Sequence, residues 1–266
     1  MLGTMTLPPV DAELLTWAVE LTKEAGRRTL TRFRSDDLAI EAKGDGTPVT
    51  EADKDAEAYI RAELAAAHPD DAVLGEEEGE ADGTTGRRWI IDPIDGTKAF
   101  MRGVPLYSNL LAVEDEHGWA VGVINLPAAG ECVYAARGLG AFQDDRHGER
   151  RPARVGPRST EPFLTASGFT RWDDEALLRV KHAGWGLRTW GDGFGYAMVA
   201  TGRIDAMVDP SAALWDIAPM PVILAEAGGR FSAWSGAPDP REGSGVATNG
   251  EGHDELLALL RGDTQP

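Results

Sequence analysis

Asp92 and Asp95 stand three residues apart where an apolar run ends, within Trp89-Ile90-Ile91-Asp92-Pro93-Ile94-Asp95-Gly96-Thr97. Ile90 and Ile91 read as a buried strand, Pro93 cannot continue its hydrogen-bond ladder, and Gly96-Thr97 reads as a turn opening a helix. Both carboxylates are therefore expected at one strand-to-helix corner. Two carboxylates in a partly buried corner repel each other and resist desolvation, so they call for a proton or a cation between them. The N–H groups that follow Asp95 suit a phosphate. A cation site beside an anion site implies metal-assisted phosphoryl chemistry. Taken alone, an Asp-x-x-Asp is more often a solvated turn, so the reading depends on partners from elsewhere in the chain.

Three other segments place acids where they could join that corner. Leu74-Gly75-Glu76-Glu77-Glu78 follows a short apolar strand that would bring Glu76 to the sheet edge of Asp92, although a bare acidic triplet is a solvated loop. Leu214-Trp215-Asp216 precedes an apolar helix with Pro219 and Pro221 early in it, where a missing N–H costs least. Asp216 reads as a cap there, and a helix-start aspartate can also face a cation. Thr50-Glu51-Ala52-Asp53 has nearly the spacing of a capping box, with Thr50 capping and Asp53 reaching back. No histidine or cysteine joins these acids: His68, His117, His147, His182 and His253 are scattered without zinc-like spacing. Oxygen-only ligands favour magnesium or manganese.

The elements that must position these acids follow from periodicity. Asp11 to Phe33 and Glu51 to Ala67 read as helices, the second stopped near His68-Pro69, with a flexible loop over Lys43 to Pro48 between them. Short strands are expected at 72–74, 89–92, 108–114, 119–125 and 131–136, so the first half is an α+β layer. Arg146 to Thr160, charged and containing Pro and Gly, reads as the passage to a second half. That half alternates strand and helix: strands at 163–166, 187–190 and 204–208, helices at 173–182, 194–201 and 215–227, the last stopped by Gly228-Gly229. Two subdomains follow, 1–150 carrying most of the ligating acids and 151–266 carrying Asp216.

The 266 residues are 42% hydrophobic, enough for a sizeable core, and carry a formal charge of −18. That charge argues against nucleic acid or an anionic membrane as partner, since either needs a basic face. Most of the 44 acidic residues form a solvated surface, and a phosphate substrate would be drawn in locally by bound cations. Cys132 is the single cysteine, so no intrachain disulfide is possible. With neither a signal segment nor an apolar run long enough to span a bilayer, the expected setting is the cytoplasm.

Taken together, Gly75-Glu76-Glu77, the Trp89 to Thr97 stretch with Phe100 after it, and Trp215-Asp216 followed by Glu226-Ala227-Gly228-Gly229 resemble the inositol monophosphatase family, lithium-sensitive and magnesium-dependent phosphatases. Thr47-Pro48-Val49-Thr50-Glu51-Ala52-Asp53 lies upstream in the matching order. The resemblance implies a layered αβαβα sandwich of the inositol monophosphatase and fructose-1,6-bisphosphatase type. It implies a first metal on Glu76, Asp92 and the Ile94 carbonyl, and a second on Asp92, Asp95 and Asp216. A third magnesium is expected near Glu76, largely through water, with manganese as a substitute. Gly96 and Thr97, beside Asp95, would offer N–H groups to the phosphate, Asp53 with Thr97 would deprotonate the attacking water, and Lys43 would lie on a mobile loop over the site. A homodimer is also implied.

Trp190-Gly191-Asp192-Gly193-Phe194-Gly195-Tyr196 opens a helix at the point where the family contacts the alcohol part of its substrate. A Gly-Asp followed by Tyr, with Lys98 and Arg102-Gly103-Val104-Pro105, looks like the histidinol-phosphatase branch. Asp192 would suit an ammonium group, and Trp190 or Tyr196 would pack near an imidazole. Asp209 stands where inositol phosphatases generally carry a polyol-binding Glu. The expected activity is thus hydrolysis of a small phosphorylated metabolite, histidinol phosphate by preference. The alternatives are an inositol or broader sugar-phosphate phosphatase, and a catalytically silent metal-binding scaffold of the same fold.

Overall fold

Apolar spacing and caps decide the two amino-terminal helices. Ala12–Arg32 starts at Asp11, whose side chain accepts from the Glu13 N–H (2.9 Å), and buries Leu15, Ala18, Val19, Leu21 and Ala25. Glu51–Ala67 starts at Thr50 and ends at His68, ahead of Pro69. The computed structural model describes residues 7–42, 44 and 48–263. Lys43 and Thr47 lie outside the described residues. Around them Ile40–Ala42 and Pro48–Thr50 pair as an antiparallel ribbon that flanks the loop expected from Lys43 to Pro48.

The larger sheet has eight strands, in the order Arg150–Pro152, Gly140–Asp144, Glu131–Ala136, Gly118–Leu126, Ser108–Asp115, Arg88–Asp95, Ala72–Gly75 and Gly79–Ala81. All neighbours are antiparallel except Ala72–Gly75 and Arg88–Asp95, which run parallel until Gly75 stops opposite Ile91. The smaller sheet orders Gly186–Arg188, Phe163–Thr165, Ala206–Asp209, Gly245–Thr248 and Arg230–Ser232, the first three parallel. The helices Ala12–Arg32 and Glu51–Ala67 cover one face of the larger sheet. Asp192–Ala200, Leu214–Ile217 and Met220–Glu226 lie between the sheets, burying Leu110, Ile124 and Val133 against Tyr196, Met207 and Ile223. Asp174–His182 and His253–Arg261 pack together beyond the smaller sheet. The fold is the layered αβαβα sandwich.

Three departures from the sequence reading have physical causes. The stretch 146–160 contributes an edge strand, Arg150–Pro152, because its backbone completes the ladder beside Gly140–Asp144. The expected helix over 215–227 is two helices, Leu214–Ile217 and Met220–Glu226, meeting at Pro219, which cannot donate into a continuous ladder. The strand ending at Asp92 instead continues to Asp95 through an irregularity at Pro93 and Ile94.

His253 opens the last described helix, buried between the Ser232 and Thr248 hydroxyls at 2.9 Å each. Burial, with help from the Arg230 charge, lowers its pKa from 6.5 to about 4. A neutral folded histidine contributes stability that is fully present above pH 6.5 and is lost as pH falls through about 4. Comparing unfolding free energies of wild type and His253→Gln at pH 7 and pH 4 should show a wild-type excess loss of about 3 kcal/mol, from ~1.4 kcal/mol per pKa unit. Parallel pH profiles of the two proteins would refute this.

Candidate active site

The parallel pair ends at one place, so the residues that follow Ala72–Gly75 and those that close Arg88–Asp95 must meet there. Glu76 donates its N–H to the Ile91 carbonyl (3.2 Å), which carries it onto the edge beside Asp92. Residues three apart on a regular strand face opposite sides. Here Asp92 pairs with Leu110 and Asp95 with Ser108, so three steps on one strand oppose two on the other. This bulge of one extra residue re-aims Asp95 to the side of Asp92. Asn109 holds it: its Nδ2 donates to the Pro93 carbonyl (2.6 Å), and Asn125 Nδ2 donates to Asn109 Oδ1 (2.9 Å).

Other elements aim their ends at the same cavity of about 350 Å³, lined by Glu76, Asp92, Ile94, Asp95, Gly96, Thr97, Lys98, Asp192, Asp209 and Asp216, with Ser167, Thr170, Arg171 and Ser211 on the outer wall. Asp216 accepts the Ala213 N–H (2.8 Å) at the start of Leu214–Ile217. Asp95 accepts from Ser108 Oγ (2.6 Å) and from the Gly193 N–H, which ties the first turn of Asp192–Ala200 to it. Gly96 has φ +83°, and a Cβ there would come within 2.8 Å of Asp192 Oδ2. Only glycine both turns the chain and leaves Asp192 its place.

Asp53 closes the capping box read from the sequence, its Oδ2 accepting from the Thr50 N–H (2.8 Å) and hydroxyl (2.5 Å). Its Oδ1 lies 3.4 Å from Thr97 Oγ1, which also lies 3.1 Å from the Ile94 carbonyl. Burial pushes Asp53 up to about 6, with Thr50 opposing.

Like charges gathered out of water show in the other acids. Burial, then Glu76, Asp95 and Asp216, raise Asp92 well above the carboxylate range, and its buried Oδ1 has no hydrogen-bond partner among the described residues. Burial, then Asp192 and Asp216, raise Asp95, with Ser108 and Gly193 opposing. Burial raises Asp216 to about 7, with the Ala213 N–H opposing and Glu76, Asp209 and Asp192 adding to it. No three His, Cys, Asp or Glu side chains among the described residues are already drawn together as a metal cage. Repelling carboxylates line the cavity at a wider spacing, and an unpartnered buried oxygen among them suits a hard cation.

Asp192 and Asp209 form a second acidic unit through Ser167. The Asp192 N–H donates to Ser167 Oγ (2.9 Å), and the Ser167 N–H donates to Asp209 Oδ1 (3.4 Å). Burial raises Asp192, opposed by Ser167 and by the Lys98 charge, and raises Asp209 to about 6. Asp192 sits at φ +56°, a conformation that aspartate tolerates better than most residues and that carries strain. Tyr196 is fully buried, its hydroxyl donating to Asp209 Oδ2 (3.1 Å), so it braces that carboxylate and is not among the residues that line the cavity. Trp190 also stays outside the cavity lining, 39% exposed with the Arg188 guanidinium over its ring at 5.6 Å.

Sequence reasoning missed the supporting residues Glu57, Ser108, Asn109, Asn125 and Ser167. Only Glu57 left a trace, four residues after Asp53 and so on the same helix face.

The sequence profile of the inositol monophosphatase family matches residues 11–265. A histidinol-phosphatase of Mycobacterium tuberculosis is 39% identical over 251 residues, covering 91% of this chain and 96% of that protein. An inositol-1-monophosphatase of Mesorhizobium japonicum is 34% identical, covering 90% of this chain and 92% of that protein. Among solved structures, the extragenic suppressor protein suhB from Bartonella henselae superposes with a TM-score of 0.84 at 28% identity, covering 95% of this chain and 100% of that one.

Proposed function

The chain belongs to the inositol monophosphatase family and is a phosphoric monoester hydrolase, and from that premise we propose that it hydrolyses histidinol phosphate with magnesium bound by Glu76, Asp92, the Ile94 carbonyl, Asp95 and Asp216. The observation that carries the metal is Asp92, buried among three acids with an oxygen that no described residue satisfies. A divalent cation there supplies charge neutralisation for the phosphoryl and leaving oxygens and makes water more acidic.

The protein's own groups do the rest. Thr50 occupies one oxygen of Asp53, leaving the other to Thr97. Asp53 takes the attacking water's proton through the Thr97 hydroxyl, and its raised pKa keeps it basic enough to do so. The N–H groups of Gly96 and Thr97 open the Thr97–Met101 helix, where they lack partners within the helix and can meet phosphoryl oxygens. Dialysis against a chelator should abolish phosphate release, and added Mg2+ or Mn2+ should restore it; full activity after chelation would refute the metal reading.

Asp192 and Asp209 support the substrate choice. They line the same cavity as the ligating set, and two acids whose pKa values burial raises favour a cation such as the substrate ammonium beside them. An inositol phosphate is the second reading, favoured by the hydroxyls of Ser167, Thr170 and Ser211 on the outer wall. With Mg2+ present, kcat/KM for histidinol phosphate should exceed that for inositol 1-phosphate and fructose 1,6-bisphosphate at least tenfold. Asp192→Asn should lower it about tenfold or more for histidinol phosphate alone, the loss of one charge-assisted hydrogen bond. Equal wild-type values for the three esters would remove the preference, and an equal loss on all three would make Asp192 a structural cap.

A further inference from the structure

The Glu51–Ala67 helix presents Asp53, Glu57 and Arg61 at successive intervals of four residues, one stripe of its surface. The first of these meets Thr97. The second has no assigned role, although it is a fully buried glutamate, and such residues are rare unless every oxygen is satisfied. Glu57 is satisfied by the turn that carries Glu76. Its Oε2 accepts the Glu77 N–H (2.8 Å), and its Oε1 accepts the Glu78 N–H (3.1 Å) and Arg61 Nε (2.8 Å). Arg61 reaches on to the Gly79 carbonyl and pairs with Glu78 at 3.6 Å. The turn between Ala72–Gly75 and Gly79–Ala81 is thus fastened at three backbone points to the helix that carries Asp53.

The same contact explains a glycine. A Cβ on Gly75 would lie 1.9 Å from Glu57 Oε1 and 2.4 Å from its Cδ. Gly75 has no left-handed φ, so space and not backbone freedom requires it. Any side chain there would push the carboxylate off the N–H groups it holds.

We propose that Glu57, locked by Arg61, is a positioning residue that fixes the Glu76–Glu78 turn so that Glu76 can share a cation with Asp92. This rests on the reading of Glu76 as a ligand. A buried carboxylate accepting two N–H groups of one turn leaves that turn little freedom, so Glu76 meets a cation without first being ordered. Residues that orient metal ligands typically contribute 10- to 100-fold to metal affinity. Glutamine cannot replace Glu57, because its amide would turn a donor toward one of the three donors the carboxylate now accepts.

The test is Mn2+ binding to the metal-stripped full chain, followed by calorimetry and by loss of the free aqueous Mn2+ resonance, with circular dichroism to confirm folding. Glu57→Gln should weaken Mn2+ binding 10- to 100-fold. Gly75→Ala should do the same, and Arg61→Gln should weaken it several-fold. Phosphatase activity of all three should recover substantially at saturating metal, a change in metal requirement more than in kcat. Glu63→Gln, on the exposed side of the same helix, should bind as wild type. If Glu57→Gln fails to fold, Arg61→Gln and Gly75→Ala decide. Folded variants with wild-type Mn2+ affinity overturn the proposal, as does an equal loss in Glu63→Gln. A wild-type chain that binds no Mn2+ instead overturns the metal reading on which the proposal stands.

Discussion

Asp92→Asn is expected to lower kcat/KM by about 10³-fold or more while raising the melting temperature of the metal-free protein at neutral pH. The two effects have opposite signs because they come from the same charge. Asp92 is buried, one oxygen has no partner among the described residues, and Glu76, Asp95 and Asp216 add like charge to the desolvation cost. Without a cation the folded chain therefore prefers Asp92 protonated. A carboxyl whose folded pKa lies above its unfolded value contributes stability below about pH 4, and that stability is lost as pH rises through the folded pKa. Asparagine keeps the shape and removes the charge, so the metal-free variant escapes this loss. It also removes the anion central to the acidic set, and a cation's transition-state stabilisation is several kcal/mol, at ~1.4 kcal/mol per tenfold in rate. Added Mg2+ should raise the melting temperature of wild type and leave that of the variant nearly unchanged. Activity within tenfold of wild type, or a lower metal-free melting temperature at pH 7.5, would refute this account.

The acids of the site were legible because each stands at the end of a readable element. An apolar run before Asp92, a capping box around Asp53 and a helix start at Asp216 are local signals, and local signals survive in a sequence. How Asp92 and Asp95 come to share a side was not legible. A turn after Asp92 was expected, whereas the strand continues and a bulge supplies the extra residue, held by Asn109 from the neighbouring strand. Bulges depend on what the partner strand offers: Pro93 announces that the ladder breaks, but not that it resumes at Asp95. Glu57 escaped for a related reason, since its backbone donors lie about twenty residues away on a turn whose sequence is only acidic. Tyr196 shows the converse. Its place beside Asp192 suggested a substrate contact, but one helical turn carries it inward to brace Asp209.

The division of labour between the layers follows from these placements. Glu76, Asp92 and Asp95 sit on or just after the larger sheet, while Asp192, Asp209 and Asp216 come from the smaller sheet and the helices between the two. The Gly193 N–H on Asp95 fixes the second group against the first. On the proposed reading, substrate preference can change through the loop after Thr165 without moving Glu76, Asp92 or Asp95 on the larger sheet.

Asp53→Asn should lower kcat about 10²- to 10⁴-fold, the usual range for loss of a positioned general base, with little change in KM or in stability. Asparagine can still accept from Thr50 through its carbonyl, so the helix start is kept. What changes is the group facing Thr97, where a proton acceptor becomes an amide donor. The base works as a carboxylate, so wild-type kcat/KM should rise with pH through its pKa. Burial places that near 6 in the metal-free chain, and cations close by hold it at or below that value. The variant should lose this acid limb. Thr97→Val interrupts the same relay one atom later and should cost a similar factor, whereas Thr97→Ser should retain most activity. On the proposed relay the two residues move one proton, so Asp53→Asn with Thr97→Val should be scarcely worse than either alone. Multiplicative losses in the double variant would show that the two side chains act independently and that the proton leaves the water by another route.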